Sequence, residues 1–308
     1  MQVKTIADQL FFTTVRIDTV DAQGGRGSGT GFFFQYASAD DKRLPVCVTN
    51  KHVVMGMREG SFTFVKEKDG QPALGEGMQL KVEPSDWGEM WFGHPDPKID
   101  IAICPLLPLL DFVEQHYKTT VFYRSVGSQH LPTPDQLNEL DAVEPVVFIG
   151  YPNGIWDSKN LLPVARRGTT ASPIVVDFEQ TPRFLVDASV FGGSSGSPVF
   201  VLNTGTWTTR TGGVVLGGQR LYFVGVIAAV FYREDFNRVV AVPIPTNVQP
   251  MVQQREMLDL GIVFKARTVV ETIEAWVAAN GAAADANQPK EPVPSIPADQ
   301  PASPEPHT

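Results

Sequence analysis

Short runs of alternating apolar residues, punctuated by glycine and proline, dominate this chain and leave little room for anything but antiparallel strands. A first block of strand candidates covers 11–20, centred on Thr14-Val15-Arg16-Ile17, then 30–36, 44–50, 61–66, 78–83 and 100–104. A second block covers 144–149, 163–169, 173–177, 183–188, 197–202, 221–232 and 238–243. Turn-rich segments such as Lys68-Asp69-Gly70 and Pro95-Asp96-Pro97 lie between them. Many short strands joined by such turns predict antiparallel β-barrels. The polar stretch from Ser125 to Asp141 reads as the connection between two barrels.

Helical signals concentrate near the end. Thr246 or Asn247 is placed to cap a helix carrying Val248, Met251, Val252 and Leu258. A second run, from about Lys265 to Ala279, sets Ala266, Val270, Ile273 and Val277 on one face, with Asn280-Gly281 as its stop. That stripe is expected to pack on the core. Beyond Gly281 the chain is rich in proline and alanine, has no aromatic residue, and is expected to be disordered.

Composition excludes several classes. At 43% hydrophobic, most of the 308 residues can be packed into a core. A net charge of −9 disfavours nonspecific binding to nucleic acid or anionic membranes. No apolar run approaches the roughly 20 residues of a membrane span. Met1 to Val20 holds no signal-peptide core, since Leu10-Phe11-Phe12 is too short. The only two cysteines, Cys47 and Cys104, make no disulfide framework and read as buried thiols in a reducing compartment. A cytoplasmic protein is expected. The five histidines are scattered, and the pair His94 and Asp96 has no metal-ligand spacing around it, so neither a metal nor a cofactor is expected.

Three segments carry chemistry. Phe191-Gly192-Gly193-Ser194-Ser195-Gly196-Ser197-Pro198 holds a serine in a tight glycine-rich turn. Val48-Thr49-Asn50-Lys51-His52-Val53-Val54 offers a histidine at a strand end, and Lys98-Ile99-Asp100-Ile101-Ala102-Ile103 an aspartate at a strand head. A serine hydroxyl needs a base to take its proton during attack. Imidazole titrates near neutrality, and a carboxylate fixes its tautomer. Ser195 has Gly193 two residues before it and Gly196 directly after, which favours it over Ser194 and Ser197. Asp96, between Pro95 and Pro97, competes with Asp100, which leads directly into the alternating Ile101 and Ile103. The Gly193 and Ser195 N–H groups are the candidate donors to a tetrahedral oxyanion.

The order of the residues removes other arrangements. An α/β-hydrolase needs a histidine after the serine, and only His307 follows. Subtilisin order needs an aspartate before the histidine; Asp18 or Asp21 would serve, but that fold requires many helices. The run from Gly24 to Gly31 lacks a Gly-Lys-Ser/Thr ending and precedes Phe32-Phe33-Phe34, so it reads as a loop entering a strand.

Together these segments resemble the trypsin-like serine proteases, especially the bacterial HtrA/Deg-like group. Asp187-Ala188 fits that group's pattern, as do the glycine-rich loop Phe148-Ile149-Gly150-Tyr151-Pro152-Asn153-Gly154 and the segment Ala241-Val242-Pro243-Ile244-Pro245-Thr246-Asn247. The resemblance covers roughly 10–258 and departs at Ser194, where Asn or Asp is usual. No Ile-Val-Gly-Gly-like start occurs, and no peptide-binding PDZ domain fits after residue 258.

The resemblance implies two antiparallel six-stranded barrels, at about 10–124 and 142–245 within a protease domain of 1–258, then a packed helix over 259–280 and the tail 281–308. It implies a serine endopeptidase in which Ser195 attacks, His52 carries the proton and Asp100 orients His52. Ser189, Val190, Phe191, Gly192 and Gly193, with Ala228, Ala229 and Val230, would line an apolar specificity pocket. A protein or peptide is the expected substrate. A regulatory partner is a further expectation, acting at the insertions 56–77 and 203–219. A catalytically silent binding module of the same fold is the alternative.

Overall fold

The computed structural model describes residues 1–38, 42–234, 255–289 and 293–297. A short α1 (Ile6–Leu10) leads into the first body, built from β1 (Thr14–Val20), β2 (Arg26–Ala37), β3 (Arg43–Thr49), β4 (Glu59–Lys68), β5 (Gln71–Val82) and β7 (Ala102–Pro105). The two-residue strands β6 (Phe92–Gly93) and β8 (Val126–Gly127) extend it. Their order is β5-β4-β1-β2-β3-β7-β6, with β8 parallel to β2. Three helices interrupt the strands: α2 (Lys51–Val54), α3 (Pro84–Glu89) and α4 (Leu107–Tyr117).

After α5 (Pro134–Glu139) comes the second body, with β9 (Pro145–Gly150), β10 (Val164–Thr170), β11 (Arg183–Asp187), β12 (Pro198–Thr208), β13 (Val214–Glu234) and β14 (Arg255–Lys265). These close as a six-stranded antiparallel barrel in the order β10-β11-β14-β13-β12-β9. The molecule is thus all-β in its body, with the two β-sheets of the expected chymotrypsin-like arrangement and a C-terminal helix, α6 (Ala266–Ala286); the second body closes as the expected six-stranded barrel, whereas the first is an eight-stranded sheet with one parallel pair.

One apolar core spans the seam between the bodies. Phe32 and Phe34 of β2 meet Phe223 of β13 at ring separations of 5.3 and 5.8 Å, and Phe200 of β12 joins from the far side at 5.9 Å. Val269, Ile273 and Trp276 of α6 close the same cluster. The expected apolar stripe therefore packs inward, and α6 bridges both bodies. The expected stop at Asn280 is a kink (φ −125°, ψ 23°), after which the helix resumes.

Several expectations shift. The glycine run is strand rather than loop: β2 already begins at Arg26. Gly29 and Gly31 are required there, because a Cβ would come within 2.5 Å of Val53 and 2.9 Å of Cys47, respectively. Residues 173–177 form a turn closed by Val176 N–H to the Pro173 carbonyl, held by the buried Ile174 and by Asp177, which is paired with Lys265 and Arg267, and among the described residues the segment pairs with no strand. The insertions 56–77 and 203–219 are largely the hairpins β4–β5 and β12–β13. Leu258, expected on a helix, lies on β14, which closes the barrel and carries it to Lys265, past the expected boundaries at 245 and 258. The expected strand 238–243, the segment 241–247 and the cap at Thr246 or Asn247 lie outside the described residues.

Part of the segment expected to be disordered is docked. Val293 and Ile296 are buried in the two apolar clusters that the first body contributes to. Ser125 N–H donates to the Pro294 carbonyl (2.7 Å), and Ile296 N–H to the Ser125 carbonyl (3.1 Å). The buried His130 accepts from Gly127 N–H at Nδ1 (3.0 Å), which leaves its Nε2 to face the Pro297 carbonyl (3.3 Å).

Candidate active site

Strand register brings the histidine and the aspartate together. Thr49 of β3 pairs with Ala102 of β7, so residues just past one strand and just before the other share a sheet end. Asn50 occupies the N-cap position of α2 but makes no cap bond with its side chain. Its Nδ2 instead donates to the Asp100 carbonyl (2.6 Å). The single turn of α2 then presents His52, whose backbone N–H donates to Asp100 Oδ1 (3.0 Å) and whose Nδ1 lies 2.5 Å from Oδ2. Lys51 braces the loop that leads to Asp100 through Nζ, which donates to the carbonyls of His94 (2.6 Å) and Asp96 (2.9 Å). Burial lowers the pKa of that ammonium, with Asp100 and Asp96 opposing the shift. Asp96, the competing carboxylate, is exposed and caps its own loop at Lys98 N–H (2.8 Å).

The serine turn comes from the second body, between β11 and β12. Gly193 and Gly196 have φ of +82° and +88°, the left-handed region that glycine occupies without a Cβ penalty. Ser194 N–H donates to the Phe191 carbonyl and Ser197 N–H to the Ser194 carbonyl, both at 3.0 Å. Gly196 N–H donates to the Ile227 carbonyl (2.8 Å), which ties the turn to β13. Of the three serines, Ser194 and Ser197 are buried, while Ser195 is half-buried. Ser195 Oγ donates to the Ala228 carbonyl (3.3 Å). Among the described residues the N–H groups of Gly193 and Ser195 have no acceptor.

The two bodies meet through Thr30 of β2, which sequence reasoning missed. Its N–H donates to the Ser195 carbonyl (2.9 Å), and its own carbonyl accepts from Thr49 Oγ1 (2.7 Å). Gly150, the first glycine of the 148–154 loop, is forced by the same packing: a Cβ there would lie 2.0 Å from Ser197 Oγ and 2.5 Å from Thr30 Oγ1. No sequence signal marks Thr30, which sits inside the glycine run.

The expected pocket residues divide. Val190 points into the second barrel's core against Gly261 rather than toward a cleft. Ser189 is half-buried, and the Phe191 ring carries the Arg166 guanidinium at 4.8 Å. Ala228 is buried and Ala229 exposed on β13. Among the described residues no group of three or more His, Cys, Asp or Glu side chains is placed to hold a metal, and no helix is long and apolar enough to cross a membrane.

The sequence matches no known family model and no curated protein. Solved structures similar to this chain include a thermostable serine protease from an extremophilic microorganism, at 14% identity and a TM-score of 0.42, covering 86% of this chain and 97% of that one. Another is the protease Anisep from Arthrobacter nicotinovorans, at 11% identity and a TM-score of 0.42, covering 87% and 96%. A third is an inactivated protease paralogue from the scabies mite, at 14% identity and a TM-score of 0.43, covering 89% and 97%.

Proposed function

We propose that this protein is a serine endopeptidase that cleaves peptide bonds through an acyl-enzyme. The observation that carries the reading is the two-point hold of Asp100 on His52, at the backbone N–H and at Nδ1. A carboxylate on Nδ1 keeps the proton there and leaves Nε2 as the base. Ser195 is then the nucleophile, and the unengaged N–H groups of Gly193 and Ser195 receive the oxyanion. After attack the imidazolium returns its proton to the leaving amine; water, activated by the same imidazole, releases the acyl group. The small, apolar lining of the expected pocket, which holds no carboxylate, favours a protein substrate with a small or medium apolar residue before the scissile bond. Ser189, Phe191, Ala228 and Ala229 would contact that residue, with Val190 acting from behind them. Two buried free thiols suit a reducing compartment such as the cytoplasm.

One observation favours the second reading, a silent binding module. Ser195 Oγ is engaged with the Ala228 carbonyl rather than with His52. Labelling with a fluorophosphonate separates the two. Wild type that labels while Ser195→Ala does not supports the endopeptidase, and an inert wild type supports the module.

A further inference from the structure

Thr30 does more than touch the serine turn with its backbone. A threonine hydroxyl offers one donor and two acceptor sites, and here all three are filled. Thr30 Oγ1 donates to the Gly193 carbonyl (3.0 Å). It accepts from Tyr151 N–H (3.1 Å) and from Ser197 Oγ (3.4 Å). The side chain is fully buried, so none of these bonds is exchanged for water. One hydroxyl from the first body thus joins three points of the second: the oxyanion turn, the end of β9 and the start of β12.

The bond to Gly193 has the clearest consequence. Gly193 is free to rotate on both sides of its Cα. The peptide that follows it is pinned at both ends, its carbonyl by Thr30 Oγ1 and its N–H, that of Ser194, by the Phe191 carbonyl. Pinning that peptide limits how Gly193 turns and so where its own N–H points.

We propose that the Thr30 hydroxyl is a positioning residue, setting the Gly193 turn from the opposite body so that the Gly193 and Ser195 N–H groups stay aimed at one point. This rests on the endopeptidase reading for its kinetic consequence but not for its structural one. A donor placed for the oxyanion and not for the ground state acts on kcat rather than on KM.

The test compares wild type with Thr30→Val, which keeps the shape and removes the hydroxyl, and Thr30→Ser, which keeps the hydroxyl. Hydrogen–deuterium exchange over 189–197 is expected to rise in Thr30→Val, with β13 unchanged, and to match wild type in Thr30→Ser. On an activated ester, kcat is expected to fall about tenfold in Thr30→Val with KM little changed, and to be restored in Thr30→Ser. Equal exchange in all three proteins, or a Thr30→Ser variant as defective as Thr30→Val, overturns the proposal. If wild type neither labels nor hydrolyses, the endopeptidase reading fails and exchange alone decides the positioning role.

Discussion

His52 is gripped twice by Asp100, through its backbone N–H at 3.0 Å and its Nδ1 at 2.5 Å. One carboxylate therefore fixes both where the residue sits and which way its ring faces. In Asp100→Asn the backbone contact can persist, but the amide no longer enforces the Nδ1–H tautomer. We expect kcat on a peptide substrate to fall by about four orders of magnitude, with little change in thermal stability. Steady-state kinetics beside a melting curve checks this.

Gly196→Ala should break the same site from the other side. The residue has φ +88°, and a Cβ would stand 1.9 Å from the Thr30 carbonyl oxygen, a backbone atom that cannot step aside. The expected outcome is a loss of about 2 kcal/mol or more in urea denaturation, together with loss of fluorophosphonate labelling. A variant that labels at the wild-type rate would contradict the geometry.

His130 predicts a pH dependence. Burial lowers its pKa below the ordinary 6.5. The unfolded chain takes up this proton first, so the contribution to stability is complete above 6.5 and is lost as the pH falls below it. Protonation at Nδ1 would also cost the Gly127 N–H its acceptor. Melting temperatures between pH 8 and pH 5 should fall more steeply for wild type than for His130→Gln.

The docked C-terminal segment should carry measurable stability. Ile296 is fully buried in the core that spans the seam. Ile296→Ala is expected to cost about 2–4 kcal/mol by chemical denaturation. An effect indistinguishable from zero would mean that the segment is not held where it is described.

Cys47 and Cys104 are partners in the β3–β7 register, and both are buried and unpaired. Burial, reinforced by the neighbouring Cys47, pushes the Cys104 thiol well above its ordinary value, which keeps it protonated and unreactive. A thiol-specific disulfide reagent should modify neither cysteine in the native protein and both after unfolding.

Much of this was legible from local pattern. Alternation located most strands, and the spacing Ala266, Val270, Ile273 and Val277 located α6. Those signals follow from backbone period and burial alone. His52 and Asp100 were singled out at a strand end and a strand head, and the β3–β7 register brings those two places together. What was missed depends on distant partners. Gly29 and Gly31 read as loop because a glycine's neighbour across a sheet leaves no mark on its own sequence. Thr30 was hidden for the same reason, since every group it bonds lies at least nineteen positions away. Compositional bias in the tail concealed Val293 and Ile296, two apolar residues whose burial is supplied entirely by other segments.

That return of the tail carries a consequence for biosynthesis. Val293 and Ile296 finish apolar clusters whose other members include Val15, Phe33 and Phe34. The amino-terminal sheet leaves the ribosome early but lacks these pieces until the whole of the second body has followed it. Its core is therefore completed beside Ser125 only by residues synthesised after the second body, so the first-made part of the molecule is among the last to close.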